Sequence, residues 1–394
     1  MRSKCSRHRF LKLIFSFFIS FTLLLIFLNI NGCGGEKIQK TKGKTEKKGE
    51  IEKVETERKR KGFIVFERDY KLFRASEDGS NQAAITAGFD KDVAISPDGK
   101  KIAYIHYDSD PRNYTALTSV PPPCASIFIG NSNGTQKTRL TPVEWGTSSG
   151  WEPIFTKREG TVWLQRDCSQ PSFSKDGSKL VFVIYDHAYQ EDPAGGMGEY
   201  GFETIATIEL AGKEKGKFKI LVEPRDTDGG GGFSNPKFSN DNSYVYFNDF
   251  PGGGPPASAI ARIPSIGGEK TVIVNYEVGT GQDRGYYAFD ISPTEDKIAA
   301  CEIGQIEGKG FIGKIILMKI DGSARSYIDT GNISVGADSL SFSPDGKFIL
   351  FNTEEFGRAK TSPSDIYKVG VDGSGLSMII SNGRSAVWGS EYSE

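Results

Sequence analysis

Short apolar runs return along this chain at Phe63-Ile64-Val65-Phe66, Ile102-Ala103-Tyr104-Ile105, Leu180-Val181-Phe182-Val183, Val245-Tyr246-Phe247, Ile298-Ala299-Ala300 and Phe348-Ile349-Leu350-Phe351. Consecutive apolar positions suit strands covered on both faces. Five of the six runs follow a turn of one recurring composition: Ser96-Pro97-Asp98-Gly99, Ser174-Lys175-Asp176-Gly177, Ser239-Asn240-Asp241-Asn242, Ser292-Pro293-Thr294-Glu295-Asp296 and Ser343-Pro344-Asp345-Gly346. A small polar residue opens each turn, proline presets φ at the second position, and Gly, Asn or Asp tolerate positive φ. A hairpin joining a first strand to a second is predicted in every unit.

The clearest unit reads as four strands, Leu340 to Ser343, Phe348 to Phe351, Asp365 to Val369 and Leu376 to Ile380, the last two joined by Asp372-Gly373-Ser374-Gly375. Equivalent third-to-fourth turns fall at Asp78-Gly79, Asn133-Gly134, Ala211-Gly212, Gly267-Gly268 and Asp321-Gly322, which makes six units. Self-similarity at this period predicts an all-β fold, a six-bladed β-propeller of four-stranded antiparallel blades over residues 62–394. The chain enters at Phe63 with a second strand, and it leaves through Ser385-Ala386-Val387-Trp388-Gly389, which reads as a first strand. The two fragments are expected to complete one blade, close the ring and remove both free sheet edges.

The run Ile366-Tyr367-Lys368-Val369 through Asp372-Gly373, preceded by Ser343-Pro344-Asp345-Gly346, resembles the WD40-like repeat of the TolB propeller, which also builds the N-terminal propeller of dipeptidyl peptidase IV-type enzymes. The likeness runs from Gly62 to the C-terminus and weakens where Lys175 and Asn240 replace proline. It implies the propeller fold and an envelope-associated partner. The repeat serves scaffolds, receptors and enzymes, so it assigns no activity. No counterpart of TolB's separate α/β domain is expected in this sequence, which argues against a Tol-type role.

Ahead of the repeats, Arg2, Lys4, Arg7, Arg9 and Lys12 precede an apolar stretch from Leu13 to Ile30, the pattern of an export signal over residues 1–32. It ends in Ile30-Asn31-Gly32-Cys33, which resembles a bacterial lipobox, so Cys33 is the expected lipidation site; the alternative is a retained membrane anchor. Gly34 in place of Asp after that cysteine favours the outer membrane in a Gram-negative cell. Residues 33–61 are rich in Lys, Glu, Thr and Gly and too poor in apolar side chains to offset their ordering entropy, hence a disordered, lipid-anchored tether. The net charge of -1, with the positive residues concentrated ahead of the repeats, excludes a nucleic-acid partner. Of the cysteines that remain, Cys124 and Cys168, assigned to long loops of one repeat, are the candidate disulfide, and Cys301 is a buried free thiol.

Candidate chemistry is sparse. Gly130-Asn131-Ser132-Asn133-Gly134 matches a nucleophile elbow but lies between strands, where the elbow requires a following helix. His106 and His187, beside Asp108 and Asp186, could begin a metal site or merely end two strands; zinc takes more ligands than these supply. Asp226 and Asp228 echo a calcium loop without its distal carboxylate, and an Asp/Gly turn explains them equally. No metal and no cofactor is expected.

In an antiparallel meander the first-to-second and third-to-fourth turns share one rim, here uniformly short. The long insertions, Tyr107 to Cys124, Pro142 to Gln170, Asp186 to Glu203, Asp226 to Asn235, Pro251 to Pro256 and Tyr276 to Tyr287, fall on the other rim, which makes it the candidate binding face. Its anchors are Trp145, Trp151, Tyr189, Arg284 and Tyr286, unless these rings only pin the loops. At even offsets along the second strands stand Glu67 and Asp69, Asp108, Asp186, Asp249, Glu302 and Glu354, either a negatively charged ring at the axial mouth or simply polar strand ends. The reading is a monomeric, extracytoplasmic, non-catalytic propeller that binds an envelope protein, a peptide or a glycan through the long-loop face. The alternative is an exported hydrolase or lyase using the same face.

Overall fold

The computed structural model describes residues 60–113, 123–146, 161–191, 197–227, 231–252, 257–279, 283–306, 310–353 and 364–392. Their strands form six antiparallel sheets. The first blade contains β1 (Arg60–Arg68), β2 (Lys71–Ser76) and β3 (Ala83–Ala84); the second, β4 (Phe89–Ile95), β5 (Lys101–Tyr107), β6 (Ala125–Asn131) and β7 (Thr138–Arg139). The third has β8 (Thr161–Phe173), β9 (Lys179–Glu191), β10 (Met197–Glu209), β11 (Phe218–Ile220) and the short β12 (Arg225–Asp226); the fourth, β13 (Gly232–Phe238), β14 (Tyr244–Phe250), β15 (Ala259–Pro264) and β16 (Thr271–Val274). The fifth has β17 (Arg284–Ile291), β18 (Lys297–Ile306), β19 (Gly310–Lys319) and β20 (Ser326–Ile328); the sixth, β21 (Val335–Phe342), β22 (Phe348–Thr353), β23 (Ile366–Gly370) and β24 (Ser377–Ile380). Finally β25 (Arg384–Tyr392) pairs with β1 and completes the first blade. The fold is a six-bladed propeller closed by its two chain ends.

The closing register sets Gly62 opposite Ser390, Ile64 opposite Trp388 and Val65 opposite Val387. Trp388 also donates its backbone N–H to Ser341 Oγ of the sixth blade at 3.0 Å. The core lies between blades rather than within one sheet: Ile64, Phe66 and Ala75 of the first blade meet Leu350, Ile366 and Ile380 of the sixth around Ala386 and Trp388. The first halves of the second strands are apolar because each is covered by both neighbouring blades; Phe66, Phe182, Phe247 and Phe351 are fully buried.

The recurring turn works through its serine. Ser96 Oγ donates to Asp98 Oδ1 at 2.6 Å and accepts the N–H of Lys101 at 2.9 Å, and the Gly99 N–H returns to the Ser96 carbonyl at 2.8 Å. Ser174, Ser239 and Ser343 repeat this with Asp176, Asp241 and Asp345. In the fourth blade the Ser239 and Ser243 hydroxyls hold the Asp241 carboxyl down at about 2. Where proline is replaced, the recovered backbone N–H joins blades: Lys175 donates to Asn242 Oδ1 at 2.7 Å and Asn240 to Glu295 Oε2 at 2.7 Å. Proline, which has no N–H, could make neither bond. Between the third-to-fourth turns and the preceding blade the approach is closer still, and at Gly134 (φ +83°) a Cβ would collide with the carbonyl of Ile85.

Bulges interrupt all six inner strands on the axis. Asp92, Gln170, Asn235 and Ser385 adopt positive φ there, a conformation that short polar side chains tolerate best. The bulges are stitched around the axis: Gln170 N–H donates to Asp92 Oδ2 at 3.3 Å, Asn235 N–H to Gln170 Oε1 at 2.6 Å, and Asn235 Nδ2 to the Phe289 carbonyl at 2.9 Å.

Two expectations need correction. The insertion from Asp186 to Glu203 is largely not loop, because β9 continues to Glu191 and β10 begins at Met197, extending the hairpin beyond the ordinary blade. Aromatic residues stand at every second position, Tyr185, His187 and Tyr189, and glycine at 201 leaves room for the Tyr185 ring across the strand. Nor is there a bond between Cys124 and Cys168, which are both buried free thiols, as is Cys301. Cys168 lies inside β8 and packs in the core with Phe182 and Ile184, while the Cys124 thiol contacts Ser126 Oγ and the Arg166 carbonyl. Burial pushes the Cys124 thiol up to about 11 and that of Cys168 well above its usual range, leaving both as inert core residues.

Candidate functional site

The carboxylates aligned on the second strands do not form an open ring. Asp186 on β9 is fully buried and clamps Arg166 of β8 bidentately, at 2.6 and 2.9 Å. The Arg166 guanidinium lies 4.9 Å over the Trp145 ring, itself buried and edge-on to Phe218. Asp249 on β14 accepts from Arg225 Nη1 at 2.6 Å and from Lys270 Nζ at 2.5 Å. Glu302 on β18 accepts the Tyr327 hydroxyl at 2.6 Å, and Asp108 accepts the backbone N–H of Cys124 at 3.0 Å, closing the hairpin end. Each is committed to a protein partner, in its own blade or loop or, for Asp249 with Arg225, in the blade before it. The physical reason is topological: inner strands, not second strands, line a propeller's axis, so an even offset along a second strand turns the side chain towards a neighbouring blade.

Both histidines find carboxylates, but not the expected ones. His106 Nδ1 lies 2.7 Å from Asp90 Oδ1, directly across from it on β4, and His187 Nε2 lies 2.7 Å from Asp167 Oδ2 on β8. Asp167 also accepts from Gln165 Nε2 and from the Ala125 N–H, tying the third blade to the second. Among the described residues no group of three or more His, Cys, Asp or Glu side chains could hold a metal ion. Asp226 lies in β12 paired to Phe202, whereas Asp228 falls outside the described residues, as do Trp151 and Glu354 and the side chain of Tyr189.

Other proposed anchors prove structural or paired. Tyr286 is fully buried, its hydroxyl accepting from Arg325 Nη1 at 3.1 Å and its carbonyl from Asn248 Nδ2 and Ser258 Oγ; burial pushes the phenol up to about 12. Arg284 holds Glu277 Oε2 at 2.6 and 2.9 Å. Two glutamates carry raised pKa values. Burial lifts Glu203 to about 7 although its Oε2 accepts the Phe233 N–H at 2.7 Å and Arg225 is near, and burial together with the Asp92 charge lifts Glu67 to about 7 against the pull of Arg384 and Lys91.

On the axis there is a cavity of about 430 Å³ that opens among the first-to-second turns, lined by Pro97, Lys175, Pro293 and Pro344 at the mouth and by Ser172, Lys237, Asp290 and Ser341 deeper in. A second space of about 70 Å³ lies at the bulges, between Asp92, Gln170, Asn235, Asp338 and Ser385. Loop length along the sequence gives no sign of this cavity. The available signal was charge at the inner strands, Lys237 and Asp290, and a lysine in the place of turn proline at 175.

In solved structures, TolB from Acinetobacter baumannii matches over 83% of this chain and 66% of its own, at 17% identity and a TM-score of 0.52. The chain thus spans just under two thirds of that protein's length. An oligogalacturonate lyase from Vibrio parahaemolyticus matches at 12% identity over 79% of this chain and 71% of its own, with a TM-score of 0.44. A puromycin-hydrolyzing peptidase from Mycobacterium tuberculosis matches at 13% identity over 81% and 43%, with a TM-score of 0.45. The likeness to TolB is one of propeller fold. No protein-family model and no curated protein matches the chain.

Proposed function

We propose that this chain is a non-catalytic, extracytoplasmic propeller, lipid-anchored through Cys33, that binds an envelope protein, a peptide or a glycan on its long-loop rim. The observation that supports it best is the state of the ionisable groups on that rim: Asp186, Asp249, His187 and Arg284 are each engaged by a protein partner in fixed geometry. Such pairs organise a surface rather than react. The first described residue, Arg60, pairs with Tyr392 at the short-turn rim, opposite the proposed binding face. Among the described residues no helix is long and apolar enough to cross a membrane, and the apolar stretch from Leu13 to Ile30 lies outside them.

The anchor is tested by growing expressing cells with labelled palmitate. The wild-type chain takes up label and fractionates with membranes; Cys33→Ala takes up none and loses lipid-dependent membrane association. Equal labelling of the two would refute lipidation at this residue.

A further inference from the structure

The axial cavity lies on the rim opposite the proposed partner face. At about 430 Å³ it falls within the size of small-ligand sites, and its wall carries Arg60, Lys175, Lys237 and Asp290 as its charged groups. Asp290 is already committed, with Oδ2 accepting the Phe342 N–H at 2.8 Å and Oδ1 lying 3.4 Å from Lys237 Nζ. Arg60 is committed too, donating to the Tyr392 hydroxyl at 2.9 Å with its guanidinium over that ring. Lys175 differs. Its backbone N–H is tied to Asn242 on the next turn, which fixes the residue at the mouth, while among the described residues its ammonium has neither a hydrogen bond nor an ion pair. Partial desolvation beside the wall and the Lys237 charge outweigh the attraction of Asp290 and Glu295, so the ammonium is held below its usual pKa although the residue stays exposed at the mouth. With three cations against one carboxylate on its wall, the wider cavity carries excess positive charge, whereas the narrower space at the bulges sets Asp92 and Asp338 beside Lys237.

We propose that this cavity binds the anionic end of a slender ligand, Lys175 and Lys237 together holding one carboxylate or phosphate group. Ammonium groups act as point charges and accept either anion. The Ser172 and Ser341 side of the wall supplies small polar neighbours, and the prolines at the mouth supply a rigid apolar collar.

Calorimetric titration of the full chain at low ionic strength tests this with two probe pairs: trialanine as free acid against its amide, and glycerol 3-phosphate against glycerol. Saturable binding of at least one anion, absent for its neutral counterpart, is expected, and the anion that binds identifies the source of the charge. Lys175→Met combined with Lys237→Met should weaken it by roughly tenfold or more, since two of the three cations on the cavity wall are lost. No saturable binding of either anion, or equal binding by the double variant, overturns the site. Trace acetylation of the wild-type chain gives a readout independent of the variant's folding: Lys175 is expected to react faster than Lys100, which is likewise exposed, and to be protected by the bound anion. Labelling indifferent to the anions contradicts the proposal.

Discussion

Deleting residues 384–394 will abolish the cooperative thermal transition of this protein. The deletion removes β25, and with it the inner strand of the first blade and the side chains of Ala386 and Trp388 from the core shared with the sixth. What remains is a ring opened at one blade, with the edge of β1 unpaired and Ile64 and Phe66 uncovered on one side, a combination that favours aggregation. Trp388→Ala isolates the packing component. Its indole is 6% exposed and stacks against Phe348, so a loss of about 3–5 kcal/mol is expected from truncating a buried tryptophan. Circular dichroism melts decide both. A truncated chain that melts as sharply and as late as the intact one would mean that the terminal strand is decoration.

The second large effect is one of pH. Glu67 and Glu203 are each raised from 4.5 to about 7, chiefly by burial. The folded chain therefore holds these two protons more tightly than the unfolded chain does. Stability contributed by the neutral forms is full below pH 4.5, falls as pH rises towards about 7, and stays lost above it. At 1.36 kcal/mol per pH unit each glutamate accounts for about 3 kcal/mol, or roughly 4 °C in melting temperature for a domain of this size. The wild type should melt several degrees higher at pH 5.5 than at pH 8. Glu203→Gln keeps an acceptor for the Phe233 N–H and removes the titrating proton, so it should raise the melting temperature at pH 8 and flatten the dependence. A variant that melts lower at both pH values would show that ionised Glu203 stabilises the fold.

The fold was legible because the informative residues act locally. Ser96, Asp98 and Gly99 form one turn by contacts within six residues, and the same letters form the same turn in other blades. Closure was legible for a related reason, since an unmatched second strand at Phe63 and an unmatched first strand at Trp388 can satisfy their edges only in each other. The candidate site was much less legible. Whether Asp186 faces solvent or Arg166 depends on which strand sits beside it at each level, and that is set by the register of β8 and β9 with two bulges between them. A shift of one residue reverses the answer. Composition also misled at residues 186–203, where glycine and charge suggested loop although cross-strand pairing continued through most of the segment. The axial cavity belongs to no single segment: all six inner strands contribute to its wall, so no local pattern announces it.

Photo-crosslinking in intact cells tests the face assignment most directly. A crosslinking amino acid is placed one at a time at Asp69, Arg112 and Val278 on the long-loop rim, and at Asp98, Asp176 and Asp345 in the short turns, all of them exposed positions. The account predicts discrete adducts of one size from the long-loop positions and none from the short turns. Adducts that come only from the short turns, or equally from both rims, would contradict it.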